Sequence, residues 1–501
     1  MISKSKKNPI CLVICERDER VVEAAIHEAK AKAGFVELRL DYLPIQQITS
    51  GRLENWVRLA GIPVIVTLRR KPNGGEFEGN EEEQLKILTS LLDCGAAYFD
   101  LEIETVESAL QGKLDRLRKG SARWIVSYHQ FQETPGDLDA VYQRLRSVNP
   151  DVLKIATKAG RFNDNFRLLE LLKHPKPPTM DIILVAMGDL GGYSRILSPR
   201  LGCLLTYASF LPGKESAPGQ WTTQELRETY RIEEIQADTR IFGIIGYPLR
   251  HSLSPYLHNA CFQRLGINAR HLPLPVQHLE DLAEHWEHFS GLSVTIPHKV
   301  GVLKYADIQD HTVRETGAAN TLVIRKDHIA AYNSDIVGIQ KALQQPLEEG
   351  IRRATLLGTG GAARAAAVVL RRSQCSVVVL ARDEEKAKSF AKEFGFSFDS
   401  LRNAVQHEGD LLINATSVGM SPHEDAIPIE TDAIRYRYVF DMVYNPLETR
   451  LLREAKGRAT PIYGLEMLLH QAVRQFEWWT GQTPPFEIMR KIALERLQKK
   501  S

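Results

Sequence analysis

Short apolar, β-branched runs recur along the first half of the chain at Pro9–Cys15, Phe35–Leu40, Pro63–Leu68, Ala97–Glu102, Arg123–Tyr128, Val152–Ala156, Asp181–Met187 and Gly202–Tyr207. Between several of them, at Glu82–Leu92, Val106–Leu117 and Phe166–Leu172, apolar residues recur at helical spacing with charges between. Eight strands alternating with helical crossovers predict a (β/α)₈ barrel, a fold of about 250 residues, compact here. The alternative is an open doubly wound sheet, but no glycine-rich loop follows the first strand. Thr222 and Glu225 form a capping-box pair that predicts a last helix over Gln224–Ile232. A new apolar run then begins at Ile241–Ile245 with no long Pro/Ser/Gly linker before it, which puts a domain boundary near 235–240. Further on, the strand Thr355–Leu357 runs into GTGGAARAAAVVL, a helix through Leu370, and a second strand Val377–Leu380.

A barrel places its chemistry at the C-terminal ends of its strands. Glu37 and Arg39, Arg69, Asp100 and Glu102, His129, Lys154 and Met187 stand at or near those ends in successive strands. Polar side chains in strands are costly without partners, so this set predicts a rim that binds a polar, anionic substrate. A lone lysine is most often a snorkelling surface residue and a lone histidine a hydrogen-bonded structural one; the ordered constellation outweighs both readings. Asp100 and Glu102 serve either to orient His129 or to neutralise an arginine.

In the second half, Gly358, Gly360 and Ala363 make a GxGxx(G/A) turn between a strand and a helix, where glycines let a pyrophosphate approach the helix N-terminus. At the end of the next strand an NAD site usually carries an acid. Here Ala381 and Arg382 stand there, with Lys386 beyond; the two cations favour a 2′-phosphate, and Asp383 argues the other way.

Composition narrows the classes. At 501 residues the chain exceeds one core. Lys+Arg 64 against Asp+Glu 62 leaves no electrostatic footprint for nucleic acid, and no apolar stretch reaches membrane-span length. The 6 cysteines are scattered without a CxxC pair, as expected of reduced cytosolic thiols. The basic N-terminal run leads into a first strand rather than a signal peptide, and no Arg/Ser-rich leader is present, so a cytoplasmic location is expected. Histidines are dense at His251, His258, His271, His278, His285, His288 and His298, but the nearest approach to a zinc motif is His285-Trp-Glu-His288, and no metal site is expected. Nothing in the sequence specifies an oligomeric state.

ELRLD, TLRR, SYHQF, LKIA, MGDLGGYSRI and SAPGQ, in this order, resemble the type I 3-dehydroquinate dehydratases over residues 8 to 225. The resemblance implies that Lys154 forms an imine with the substrate ketone and His129 moves protons. It also implies that Glu37, Arg39, Arg69, Arg195, Ser216 and Gln220 hold the hydroxyls and carboxylate of the substrate, while the strand-end position of Met187 suits a wall against the substrate ring. Loss of water β to a ketone needs an electron sink, and the iminium of a lysine supplies it; the lysine attacks as free amine, which burial beside other cations would favour. The loop KPNGGEFEG after Arg69 is expected to be a mobile lid. GYPLRHSLSP, LSVTIPHK, GAANTL, YNSDIVG, NATSVGM, DMVYNP and GLEMLLHQA resemble the shikimate dehydrogenases over residues 240 to 495. That likeness implies Lys299 and Asp335 as the catalytic pair, and Ser252 and Ser254 on the substrate carboxylate. It also implies a pocket lined by Thr295, Asn320, Tyr444 and Gln471, and NADP held by Gly358, Gly360, Gly361, Ala362, Ala363, Arg382, Lys386 and Thr416. The two serines also suit helix capping near Pro255.

The expected architecture is an α/β chain: a TIM barrel over residues 1–235, a substrate-binding domain over 240–334 joined by helices in 471–501, and a Rossmann-like domain over 335–470. The expected substrates are 3-dehydroquinate, 3-dehydroshikimate and shikimate, with no nucleic-acid or membrane partner. Two other readings stand beside this one: a second half acting on quinate, decided by pocket size, and a metabolite sensor without turnover, whose mark would be lost catalytic groups.

Overall fold

The computed structural model describes residues 8–109, 120–211, 213, 215–249 and 252–498. The expected helix Val106–Leu117 lies outside the described residues from 110 onward; Ile103–Ser108 is helical before that point. The chain forms two compact units, one up to Thr239 with Leu274–Gln277, the other Arg240–Pro273 with His278–Ser501.

The first unit carries eight parallel strands: β1 (Ile10–Ile14), β2 (Phe35–Arg39), β3 (Val64–Thr67), β4 (Tyr98–Glu102), β5 (Arg123–Gln130), β6 (Val152–Lys158), β7 (Asp181–Met187) and β8 (Thr206–Ala208). Their order, β7-β6-β5-β4-β3-β2-β1-β8, brings β8 back to β1. At the remaining seam the Leu204 N–H donates to Ile182 O at 2.8 Å. The apolar run from Gly202 becomes β8 only at Thr206. Gly202 itself, at φ +116°, terminates the helix Gly192–Leu201, a left-handed end that glycine takes without a Cβ clash. The expected helix Gln224–Ile232 is a shorter wide turn, Glu225–Thr229, with the predicted capping pair in place: the Glu225 N–H donates to Thr222 Oγ1 at 3.1 Å and the Thr222 N–H to Glu225 Oε2 at 3.1 Å.

Strand parity builds the site. Side chains two apart share a face. Phe35, Ile65, Tyr98, Ile125, Val152 and Ile183 pack into one apolar cluster inside the barrel. On the same face, further along each strand or just past its end, stand Glu37 and Arg39, Thr67 and Arg69, Asp100 and Glu102, Ser127 and His129, Lys154, and Val185 and Met187. Each strand is therefore apolar at its inner base; β2 to β5 turn polar at the inner C-terminal end, and β6 carries its inner polar residue, Lys154, in mid-strand.

The second unit holds two sheets. β9 (Arg240–Gly246), β10 (Ala269–Pro275), β11 (Gly291–Val294), β12 (Ile308–Gln309), β13 (Thr321–Ile324) and β14 (Ile329–Tyr332) form a mixed sheet ordered β10-β9-β11-β13-β14-β12. The helices Ser254–Arg264, Gly464–Thr480 and Phe486–Gln498 pack on it through Leu257, Phe262, Phe476, Met489 and Leu497. β15 (Arg353–Leu357), β16 (Ser376–Ala381), β17 (Ser397–Ser400), β18 (Gly409–Asn414), β19 (Tyr436–Asp441) and β20 (Thr460–Tyr463) are all parallel, in the order β17-β16-β15-β18-β19-β20. Counted from β15 this is 3-2-1-4-5-6, the dinucleotide-binding order, with its crevice where the order reverses between β15 and β18.

Candidate active sites

In the barrel, Glu37, Arg39, Arg69, His129, Lys154, Met187, Arg195, Ser216 and Gln220 line one cavity. Lys154 comes from the middle of β6, its side chain 6% exposed. Its Nζ donates to Asp100 Oδ2 at 2.8 Å, lies 3.8 Å from Glu37 Oε1, and sits 4.4 Å above the centre of the Tyr207 ring. The cations expected beside Lys154 are replaced at contact distance by two carboxylates, because β4 and β2 present acids at the inner positions that face it.

Asp100 organises the floor. Arg69 Nη2 meets Asp100 Oδ1 at 2.8 Å and Arg69 Nη1 meets Glu102 Oε1 at 3.2 Å. Ser127 Oγ donates to Asp100 Oδ1 at 2.6 Å and accepts from Arg69 Nη1 at 2.9 Å. Burial alone would push the Asp100 carboxyl up, but Arg69 and then Lys154 outweigh it and hold it well below the usual carboxylate range. Burial, followed by Arg69 and Lys154, pushes His129 well below the ordinary imidazole value, so it is neutral at pH 7. His129 Nδ1 has no protein partner, and the ring stacks on Phe131 at 6.0 Å.

Arg39 is held by Asp41 through two bonds, at 2.9 and 2.8 Å. Arg195 is different. It is 1% exposed and donates one bond, Nη2 to Pro218 O at 3.2 Å, and its Nε has no partner. Among the described residues no carboxylate pairs with it, and burial alone lowers it to about 10. Ser216 donates to Gln220 Oε1 through its N–H at 2.9 Å and its hydroxyl at 3.2 Å, which folds the SAPGQ loop over the cavity.

The loop expected to be a lid is stitched down. The Lys71 N–H donates to Phe77 O at 2.8 Å, the Glu76 N–H to Asp41 Oδ2 at 3.0 Å, and Asn73 Nδ2 to Glu104 Oε2 at 3.2 Å. Asn73 and Gly74 line the cavity. Gly74 takes φ +79°, and a Cβ there would fall 2.3 Å from the Phe131 ring. Sequence reasoning missed Tyr207, Ser127, Phe131 and Asn73. Their strand parity was the available signal for Tyr207 and Ser127.

In the second unit Lys299, from the turn after β11, donates to Asp335 Oδ2. Asp335 begins the helix Asp335–Ala342, and its Oδ1 accepts from Asn320 Nδ2 at 2.8 Å. Asn320 also reaches Gln471 Oε1 at 3.3 Å and Ser334 Oγ at 2.8 Å. Lys299, Asp335, Asn320 and Gln471 are thus one network. Ser252, Ser254, Thr295 and Tyr444 make no hydrogen bond to it among the described residues. Ser254 starts the helix Ser254–Arg264, with its N–H 3.4 Å from Ser252 Oγ. Thr295 follows β11, so close to Gly246 that a Cβ on that glycine would meet it at 2.4 Å. Burial pushes the Tyr444 phenol up to about 12.

The glycine-rich turn meets the lysine directly. A Cβ on Gly361 would stand 2.9 Å from Lys299 Cβ and Cδ, so the lysine stem crosses the turn where a side chain is missing. Gly358 takes φ +100° beside the Thr416 methyl. Gly360 caps the helix Gly361–Arg372, whose first turn holds Ala362 and the buried Ala363. A Cβ on Gly360 would meet no protein atom, so packing does not require that glycine, whereas close approach of a pyrophosphate does. Arg382 is exposed after β16. Asp383 caps the next helix by accepting from the Lys386 N–H at 3.1 Å, and Lys386 Nζ pairs with it at 3.1 Å. Among the described residues no group of three His, Cys, Asp or Glu side chains could hold a metal, and no helix is long and apolar enough to cross a membrane.

A barrel with a buried lysine among carboxylates, followed by a dinucleotide-binding unit with a lysine–aspartate pair, defines a two-enzyme chain, a lyase joined to an oxidoreductase. Known proteins bear on which. The type I 3-dehydroquinase family matches residues 10–237, the shikimate dehydrogenase substrate binding domain 244–322, and the shikimate 5′-dehydrogenase C-terminal domain 464–494. A chloroplastic bifunctional 3-dehydroquinate dehydratase/shikimate dehydrogenase of Arabidopsis thaliana is 33% identical, covering 97% of this chain and 84% of its own. A shikimate dehydrogenase (NADP(+)) of Thermococcus kodakarensis is 43% identical over 52% of this chain and 97% of its own. The Thermus thermophilus shikimate 5-dehydrogenase solved with NADP(H) and shikimate covers 52% of this chain and 100% of its own, at 32% identity and TM-score 0.47. The chain belongs to the bifunctional 3-dehydroquinate dehydratase/shikimate dehydrogenase family.

Proposed function

We propose that the chain carries out two consecutive steps of the shikimate pathway: dehydration of 3-dehydroquinate, then NADPH-dependent reduction of 3-dehydroshikimate to shikimate. The observation that supports the first step most directly is Lys154, buried in a cavity that is also lined by Arg195, whose guanidinium meets no carboxylate among the described residues. Arg195 takes the substrate carboxylate, matching its planar fork, and Glu37, Arg39, Arg69, Ser216 and Gln220 take the hydroxyls. Lys154, lined up by Asp100 and Glu37, adds to the ketone as the free amine. Water leaves and an iminium forms. His129, neutral and with a free ring nitrogen, removes the α-proton; the electron pair passes into the iminium as an enamine. The enamine then expels the β-hydroxyl, which leaves as water with the proton from His129, and a further water hydrolyses the iminium to the enone and releases Lys154.

For the second step, NADPH supplies a hydride to the ketone when bound. Lys299 donates a proton to the developing alkoxide and is held for that by Asp335, which Asn320 fixes in turn. Ser252 and Ser254 hold the carboxylate, and Thr295, Tyr444 and Gln471 line the pocket. Gly358, Gly360, Gly361, Ala362, Ala363 and Thr416 form the floor for the dinucleotide. Asp383 is engaged as a helix cap and with Lys386, and the two exposed cations, Arg382 and Lys386, take the 2′-phosphate. All six cysteines are free thiols, in keeping with a cytoplasmic location. Fractionation of the source cells tests that assignment, since the Arabidopsis relative is chloroplastic.

The test is purified protein with 3-dehydroquinate, followed for the conjugated enone and then for consumption of NADPH or NADH, with shikimate and quinate compared as substrates of the reverse oxidation. Enone followed by NADPH consumption alone is expected, with borohydride trapping the substrate on Lys154. Absence of enone sinks the imine mechanism and favours a sensor. Faster oxidation of quinate than of shikimate reassigns the second half.

A further inference from the structure

The dehydrogenase unit buries a further carboxylate that the mechanism does not use. Asp441 ends β19 and is 0% exposed. Its donors are all neutral: Asn414 Nδ2 at 2.9 Å and the Val443 N–H at 3.0 Å on Oδ1, and Thr449 Oγ1 at 2.6 Å on Oδ2. Asn414 in turn accepts from the Thr416 N–H at 3.1 Å and the Thr416 hydroxyl at 2.7 Å. The Thr416 methyl is the group a Cβ on Gly358 would strike, at 2.9 Å. The same oxygen of Asp441, Oδ1, also fixes the backbone at Val443, the residue before Tyr444. One carboxylate therefore ties the turn behind the glycine loop to the segment that carries a substrate-pocket tyrosine.

The surroundings hold no cation for it among the described residues. Tyr463 on β20 stands opposite in register, and its hydroxyl is spent on Glu448 Oε1 at 3.2 Å, which pairs with Lys456 at 2.5 Å. On the helix begun at Thr449, Arg450 and Arg453 donate to Asp425 O and Glu448 O. On the β18 side the contact is Asn414. Burial without a counter-charge pushes the Asp441 carboxyl up to about 6.

We propose that Asp441 is a positioning residue of the dehydrogenase, whose charged carboxylate holds the Asn414–Thr416 turn and the Val443–Tyr444 backbone in one geometry and so sets the cofactor and substrate sites together. Protonation removes the negative charge that strengthens the Asn414 and Val443 bonds to Oδ1, and so loosens that clamp. The proposal rests on the dehydrogenase reading, and the two fail differently: failure of that reading leaves the wild-type chain without any NADP-dependent shikimate oxidation.

The experiment is steady-state oxidation of shikimate with NADP⁺ by the full-length chain across the acid to neutral range, with the dehydratase rate of each preparation as control. For the wild type, KM for NADP⁺ and for shikimate rise together as pH falls through about 6. Asp441→Asn, isosteric and uncharged, is expected to show both KM values raised roughly tenfold at neutral pH with no inflection, and an unchanged dehydratase rate. Thr449→Val keeps the carboxylate but removes the donor on Oδ2, so its inflection moves to higher pH; Thr449→Ser restores it. Asp441→Asn with wild-type KM values and an unaltered profile overturns the proposal. If Asp441→Asn fails to fold, the Thr449 variants decide, and an inflection that Thr449→Val leaves in place overturns it equally.

Discussion

Replacing Arg195 by Met should make the free barrel more stable and the enzyme nearly inactive, whereas the same change at Arg69 should damage both. Burial lowers the Arg195 guanidinium to about 10. Against an ordinary value of about 12.5, at 1.36 kcal/mol per tenfold change, keeping it charged in the folded state costs about 3 kcal/mol. The sign follows from linkage: the depressed value penalises the charged form, and at pH 7 Arg195 is charged folded and unfolded, so the whole cost is present at neutral pH. Met removes that cost and one hydrogen bond, to Pro218 O, worth about 1 kcal/mol. The carbonyl is not orphaned, because the Gly188 N–H also donates to it, at 2.9 Å. The net expectation is a gain of about 1–2 kcal/mol without ligand. Arg69→Met instead takes the guanidinium from two buried carboxylates, leaving Asp100 with Lys154 and Ser127 and Glu102 with neutral donors alone, a loss of about 3–5 kcal/mol. Arg195→Met also loses the buried pair with the substrate carboxylate, about 3–4 kcal/mol, so kcat/KM for 3-dehydroquinate should fall by about 10²–10³. Thermal inactivation of the dehydratase, with and without product, reads both effects. An Arg195→Met chain less stable than wild type, or one that product still stabilises as strongly, refutes the reasoning.

Other outcomes follow from the same geometry. Because burial holds His129 well below its ordinary value, dehydratase kcat/KM should stay flat between about pH 7.5 and 6, where an unperturbed histidine would cost about fourfold. Gly361→Ala places a Cβ 2.9 Å from the Lys299 stem; dehydrogenase kcat should fall about 10–100-fold with the dehydratase unaffected, as kinetics on the full chain would record. Arg382→Ala should raise KM for NADPH about 10–100-fold and leave that for NADH unchanged, and equal effects on the two cofactors would remove the 2′-phosphate from Arg382.

The strands and the glycine turn were readable because parallel strands buried on both faces leave near-continuous apolar runs, and because GTGG can be little but a turn. The polar rim was readable as a list. What the sequence did not give was who faces whom. Asp100 read as a partner for His129 or an arginine, yet it binds Lys154, Arg69 and Ser127 at once, since the register sets Ser127 beside Lys154 and Thr67 beside Asp100. Local conformation was the other gap. Gly202 sits in an apolar run that resembles a strand, and only its positive φ at a helix end shows that the run is broken there. The loop after Arg69 looks mobile by composition; the bonds that pin it come from Asp41 and Glu104, residues distant in sequence.

The alternation along the barrel strands has a consequence for how this half of the chain can vary. Each inner face is at once wall and reagent shelf: Val152 fills the barrel two residues before Lys154, and Tyr98 two before Asp100. Losing or gaining a single residue inside β4 or β6 would turn the reactive group outward against the helices and swing its apolar neighbour into the cavity, so packing and chemistry would fail in one stroke. Insertions before a strand or after its last functional residue leave that parity intact. Length changes in this family should therefore collect in the connections, and the strands from their inner base to the rim should keep a constant residue count even where their sequences drift.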